Sequence, residues 1–254
     1  MHTGGGGTGT GSRGTSQIGA SGTAEGATAA SDAGAETFLA TLDGEARAEL
    51  RRRGRLQRYR PGAVVLYEGQ LGAPVVTLVE GRVRVTALAR DGRELVLAFR
   101  GAGSILGELA ALDQGQCSAT VTAVDDVQAV VLTVTEFHDF LRARPDAAIS
   151  LLRLVAHRLR DADRKRVEFA ALDTPGRVAA RIVELADRFG QPQTDGSTII
   201  TLTLSQEQLA TWVGSSREAT VKSLAQLRGL GWVETGRRRI LVHDLEALRR
   251  RSVH

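Results

Sequence analysis

The hydrophobic pattern of this chain changes period once, and that change limits the folds open to it. Between Arg55 and Thr133 the apolar residues come in short runs: Arg55–Tyr59, Val64–Glu68, Val75–Val79, Val83–Leu88, Leu95–Phe99, Ala119–Val124 and Gln128–Thr133. Turn residues separate them, at Pro61-Gly62, Glu68-Gly69, Glu80-Gly81, Asp91-Gly92 and the glycines around 101–107. Short strands at spacings of about 8–12 residues predict a sandwich or barrel. Asp91-Gly92 between two alternating runs is a hairpin signal. After Thr135 the period becomes that of a helix. Strands followed by helices give an α+β fold class.

Pro145 suits the first turn of a long helix. Along it Ile149, Leu152, Ala156 and Leu159 follow a 3-4-3 spacing, with Val155 and Ala162 beside the stripe. That spacing reads either as a seam for a second copy or as an ordinary helix packed on its own domain. The opposite face is dense with arginine, which favours the seam through Leu152, Val155, Ala156 and Leu159. A break at Asp173-Thr174-Pro175-Gly176 precedes a helix expected from Arg177 to Phe189, a loop to Ser197 and a strand Thr198–Leu202.

Composition excludes several classes. One cysteine, Cys117, rules out an internal disulfide and any multi-cysteine metal site within one chain. No apolar run approaches the roughly 20 residues of a membrane span, and no charged-then-apolar leader opens the sequence, so a cytoplasmic protein is expected. Residues 1–35 are almost all Gly, Ala, Thr and Ser; they predict a disordered tail, or a docking tail. Residues 1–141 hold 13 basic and 16 acidic side chains, and residues 142–254 hold 20 and 13. A positive excess at one end suits a polyanion partner there.

The basic end contains LSQEQLATWVGSSREATVKSLAQLRGLGWV, Leu204–Val233. Ser205 with Gln208, and Ser215 with Glu218, are helix-start signatures. Gly214 permits a tight reversal between the two helices. Leu209, Ala210 and Val213 form the apolar face of the first; Val221, Leu224, Ala225 and Leu227 are expected on the buried side of the second. Two short helices joined at a glycine make a helix-turn-helix. Arg217 and Glu218 sit in the first turn of the second helix, the part that enters a major groove. Arginine can donate twice to guanine, and glutamate can accept from cytosine. Lys222 suits a phosphate or an edge base, and Ser216 a helix cap and phosphate donor. Two strands, Trp232–Glu234 and Arg239–Val242, should flank a turn at Gly236-Arg237-Arg238, a wing placed for the sugar–phosphate backbone. Asp244 can cap a last helix through Leu248, with Arg249–Arg251 as a fraying end.

The stretches YRPGAVVLYEG, VEGRVRVT, GELAALDQGQCSATV and VGSSREATVKSL resemble, in this order, the Crp/Fnr family of bacterial transcription regulators. The resemblance covers about residues 37–243 and implies, after the tail at 1–35, an antiparallel β-roll of cyclic-nucleotide-binding type at 36–143. A dimerisation helix follows at 144–172 and a winged helix-turn-helix at 173–254. It gives Arg217, Glu218 and Lys222 the base- and phosphate-contacting roles; Ser216, Arg237 and Arg238 stand beside them on the reading of the residues above. Ligand-binding members follow Gly-Glu-Leu with a loop ending in Arg then Ser or Thr, the glutamate taking the ribose hydroxyl and the arginine the cyclic phosphate. Here Gly107, Glu108 and Leu109 are present, but Cys117 stands at the arginine position, followed by Ser118. A buried phosphodiester needs a permanent cation or several donors, and a thiol is neither. On the long helix, where cyclic-AMP-responsive members place Thr and Ser, the alignment puts Ala162 and Asp163. The effector pocket is therefore expected to lack tight cyclic AMP binding, without excluding another ligand or a cation reaching in from elsewhere.

These readings predict a homodimeric, sequence-specific regulator on an inverted-repeat operator. Double-stranded DNA is its partner, with RNA polymerase a further one if it activates. No metal, resident cofactor or enzymatic activity is expected. The alternatives are a cyclic-nucleotide-activated regulator and a sensor or scaffold acting by protein contact.

Overall fold

The computed structural model describes Met1, residues 37–202 and residues 204–253; the expected tail, apart from Met1, lies outside the described residues. Two short helices open the fold, α1 (Phe38–Thr41) and α2 (Gly44–Arg53). Strands β1 (Arg55–Tyr59), β2 (Val64–Leu66), β3 (Val75–Glu80), β4 (Val83–Leu88), β5 (Glu94–Arg100) and β6 (Ile105–Leu106) follow. Next come α3 (Glu108–Asp113), β7 (Thr120–Ala123), β8 (Val127–Leu132) and α4 (Val134–Ala143). The long helix is α5 (Pro145–Ala171). Beyond it lie α6 (Thr174–Phe189), β9 (Gly190–Pro192), β10 (Thr198–Ile200), α7 (Gln206–Val213), α8 (Arg217–Gly229), β11 (Val233–Gly236), β12 (Arg239–Val242) and α9 (Leu245–Arg251).

The expected β-roll is two four-stranded antiparallel sheets, ordered β1-β8-β3-β6 and β2-β7-β4-β5. Alternation drives this pairing. Val76, Leu78, Val127 and Ala129 from the first sheet meet Leu66, Val83 and Val121 from the second in one aliphatic core. A second core lies under the helices, where Phe38, Leu50, Phe137, Phe140 and Leu151 cover Val75, Val130 and Leu132. Burying each such ring contributes about 1.5–3 kcal/mol. β5 closes one edge of its sheet and leaves Val96 and Phe99 facing the C-terminal half, whose core they join. The last sheet, β11-β12-β10-β9, carries the wing.

Several expectations need correction. The helix after the break begins at Thr174, not Arg177. Asp173 caps it by accepting from the Gly176 amide at 2.9 Å, so Pro175 and Gly176 fall inside its first turn. Gly190–Pro192, read as loop, pairs with β10. The Arg249–Arg251 end does not fray. It belongs to α9, where Arg249 pairs with Asp187 at 2.7 Å and Arg251 with Asp173 at 2.5 Å, tying the last helix to α6. On α8 the buried stripe is Thr220, Ser223, Leu224 and Leu227; Ala225 is exposed and Val221 only half-buried. No helix among the described residues is long and apolar enough to cross a membrane.

Candidate nucleic-acid interface and effector cavity

The reading helix is built by local chemistry. Ser205 and Gln208 form a reciprocal capping box that starts α7: the Gln208 amide donates to Ser205 Oγ at 3.0 Å, and the Ser205 amide to Gln208 Oε1 at 2.9 Å. The chain reverses at Gly214, whose φ of 70° suits glycine. A Cβ there would lie 2.6 Å from the Phe169 ring, so the turn is pressed onto the end of α5. The cap of α8 is Ser216, which accepts from the Ala219 amide at 3.1 Å. Ser215, the other expected cap, lies 3.3 Å from the Thr174 hydroxyl instead. Each such cap stabilises a helix by about 0.5–2 kcal/mol.

Beyond that cap, Arg217, Glu218 and Lys222 are exposed on the leading end of α8. Among the described residues none of their side chains takes a hydrogen bond or ion pair within the chain, nor does that of Arg237. Arg237 and Arg238 form the tip between β11 and β12, with Arg238 at φ 62°. Arg228, which the sequence reading did not single out, donates to the Thr235 hydroxyl at 2.9 Å and so fixes the wing against the reading helix.

The second feature is a cavity of about 400 Å³ between the β-roll, α5 and α6. Gly107 leads into α3 at φ 78°, and a Cβ there would meet the Pro74 carbonyl at 2.6 Å. This tight turn presents Glu108, which is 2% exposed, to the cavity. Leu109, Cys117, Ser118 and Ala162 also line it. Asp163 does not: one residue on from Ala162 it is turned about 100° around the helix and is exposed, 3.3 Å from Arg166. The helix acid that lines the cavity is Asp161. Cys117 is buried; burial pushes its thiol up and the Glu108 carboxylate adds to that, so it stays protonated and poorly nucleophilic.

A cation does reach in. Arg158 of α5 donates to Glu108 Oε1 at 2.5 Å and to the Ile105 carbonyl at 2.8 Å. Its position four residues before Ala162 places both on one helix face, but its partner lies fifty positions away in sequence. His138 meets the Ala111 carbonyl at 2.8 Å, and His157 lies 3.4 Å from Asp161. Among the described residues no cluster of three His, Cys, Asp or Glu is arranged to hold a metal.

An ionic and aromatic hub ties the two halves together. Arg181, 6% exposed, pairs with Glu168 of α5 and with Glu184 at 2.7 Å. Lys165 of α5 pairs with Glu184 at 2.9 Å. Both cations lie over the Trp212 ring of α7, at 5.7 and 5.8 Å, and Phe99 of β5 meets that ring edge-on at 5.1 Å. Burial pushes the Glu184 carboxyl up, but Lys165, Arg181 and Arg188 outweigh it and hold the group below its usual value. Burial lowers Lys165; Glu184 opposes this, while Arg181 and Arg100 press it further down.

Comparison with known proteins follows this architecture. The cyclic nucleotide-binding domain family matches residues 56–144, and the Crp-like helix-turn-helix domain family matches residues 176–251. The CRP-like cAMP-activated global transcriptional regulator of Mycobacterium tuberculosis is 35% identical over 191 residues, covering 75% of this chain and 85% of that protein. The cyclic AMP receptor protein of Thermus thermophilus is 30% identical over 178 residues, covering 70% and 79%. Two solved transcriptional regulators from Thermus thermophilus superpose well. One, of the CRP/FNR family, has TM-score 0.67 at 25% identity over 79% of this chain and 99% of its own. The other, of the CRP family, has TM-score 0.65 at 27% over 78% and 97%. With both domains in the same order and this degree of identity across most of its length, the chain belongs to the Crp/Fnr family of transcription regulators, a cyclic-nucleotide-binding-type domain followed by a DNA-binding helix-turn-helix.

Proposed function

We propose that this regulator binds an inverted-repeat operator as a homodimer and does so without high-affinity cyclic AMP. Ile149, Leu152, Ala156 and Leu159 are exposed along one stripe of α5, and Val155 is half-buried beside them. Covering that stripe with its copy removes apolar surface from water. Two-fold symmetry then sets two reading helices about one duplex turn apart, ~34 Å. Arg217 and Glu218 read base edges, Lys222 takes a phosphate or edge base, and Ser216, Arg237 and Arg238 hold the backbone. The observation that carries this is the exposed Arg217–Glu218 pair at the capped end of α8, unpartnered among the described residues. Selection of bound fragments from genomic DNA tests it: enrichment of a symmetric motif is expected, and no enrichment over random competitor refutes it.

The cyclic AMP part rests on Cys117, a neutral thiol where a phosphate-binding arginine is expected, and on Ala162, which offers the base no side-chain hydrogen bond. Losing a buried charge-assisted pair costs about 2–5 kcal/mol. A second reading, activation by a cyclic nucleotide, is favoured by the relatives named for cyclic AMP and by the retained buried Glu108. Titration calorimetry with cyclic AMP and cyclic GMP separates the two. No binding at low micromolar concentration is expected; tight binding establishes the second reading.

A further inference from the structure

The wing does not lie flat on the reading helix. Val221, Leu224 and Arg228 are spaced three and four apart, so they share one stripe of α8. Together with Thr235 and Ile240 of the hairpin that stripe lines a cavity of about 280 Å³. Thr235 and Ile240 are paired across β11 and β12, one rung before the closing pair of Gly236 and Arg239. At that rung Arg228 Nη1 donates to the Thr235 hydroxyl at 2.9 Å. Arg239 and Glu234, 3.8 Å apart, join the two strands to each other rather than to the helix.

The tip beyond this bond is exposed and strained. β10 pairs with β12 only as far as Ile240, so residues 236–239 project past the sheet. Arg238 takes φ 62°, in the left-handed region that favours glycine. An arginine kept on a costlier backbone at an exposed tip points to a use for the side chains there. Its neighbour Arg237 is exposed and, among the described residues, takes no side-chain hydrogen bond or ion pair. Two strands alone have little rigidity, so a bond one rung from the turn fixes the angle at which Arg237 is presented.

We infer that Arg228 is a positioning residue: through Thr235 it holds the wing where Arg237 meets the sugar–phosphate backbone, while the opposite end of the same helix reads bases. This rests on the proposed phosphate role of the wing and goes beyond it by naming what sets the wing's place. Grip on the backbone and reading of the groove then share one rigid element.

Thr235→Val tests this, because it removes the acceptor, keeps every charge and suits a strand. The probe is a mixed-sequence duplex of about 40 base pairs, followed by fluorescence anisotropy over a salt series. Affinity is expected to fall about threefold or more, and the slope of log affinity against log salt to drop by about one although no charge is lost. Thr235→Ser is expected to restore both. In an Arg237→Ala background, Thr235→Val is expected to change affinity less than about twofold. Hydrogen exchange on the free chain supplies an arm without DNA. Amides at the tip are expected to exchange about fivefold or more faster in Thr235→Val, and those of α7 at the same rate. Unaltered affinity and slope in Thr235→Val, an equal loss with and without Arg237, or unaltered exchange at the tip overturns the inference. So does an effect of Arg228→Ala without one of Thr235→Val, which makes the guanidinium a phosphate contact itself. Equal affinity of the wild-type chain for all duplexes sinks only the operator reading. An unchanged slope in Arg237→Ala sinks the wing's grip on the backbone, while faster exchange in Thr235→Val still upholds the brace.

Discussion

At Arg217 a guanidinium stands exposed at the first turn of a capped helix, with no side-chain partner among the described residues. On the proposed role it would give up no bond to the described residues on meeting a base. Arg217→Ala is expected to cost roughly 1–3 kcal/mol on the operator and to relax preference at one base per half-site, read by a binding series over single-base variants. Wing changes should look different. Arg237→Ala is expected to weaken all duplexes alike and to lower the slope of log affinity against log salt by about one. Glu184 offers a test on stability. Its folded value lies below its unfolded one, so its contribution is complete above the unfolded value, about 4.3, and fades as pH falls through the folded one. The groups that hold it are Lys165 on α5 and Arg181 and Arg188 on α6. A urea midpoint insensitive to this group between pH 5 and 7 and falling below about pH 4 is expected, with the acid limb shallower in Glu184→Gln.

At the scale of elements, what was legible in sequence was what local chemistry decides. Val83–Leu88 alternates and is a strand, Arg239–Val242 is the strand expected after the arginine turn, and Ser205 with Gln208 caps a helix. Gly214 marked the reversal because no other residue takes that backbone so readily beside an aromatic ring. The two-residue β6 and three-residue β9 escaped, being too short to show a period. The Arg158–Glu108 contact, the Arg251–Asp173 pair and the Lys165–Glu184–Arg181 hub also escaped, because each joins residues that only the tertiary fold brings together. Phe99 belongs to that group: it lies in a strand of one half yet packs in the core of the other. Phe99→Ala is expected to remove about 3–5 kcal/mol of packing. It should also split a single calorimetric unfolding transition into two, one for each half.

Across the whole molecule, the charge asymmetry between the halves becomes a surface. Arg217, Lys222, Arg237 and Arg238 lie on exposed segments of the reading half, and the β-roll carries none of this set. The exposed stripe at Ile149, Leu152, Ala156 and Leu159 has its own test. Leu152→Lys with Leu159→Lys is expected to give a monomer by sedimentation and to reduce operator affinity about a hundredfold or more, since one half-site alone must then supply the binding. The long helix bears that stripe on one side, Arg158, Ala162 and Lys165 on the cavity side, and Phe169 against the reversal at Gly214. With 27 residues it spans some 40 Å without interruption. It is thus a stiff shaft with three bearings, and a small rotation about its own axis is felt at all of them together. One alanine inserted midway would twist its far end by about 100°, leaving every side chain intact but putting the bearings out of phase.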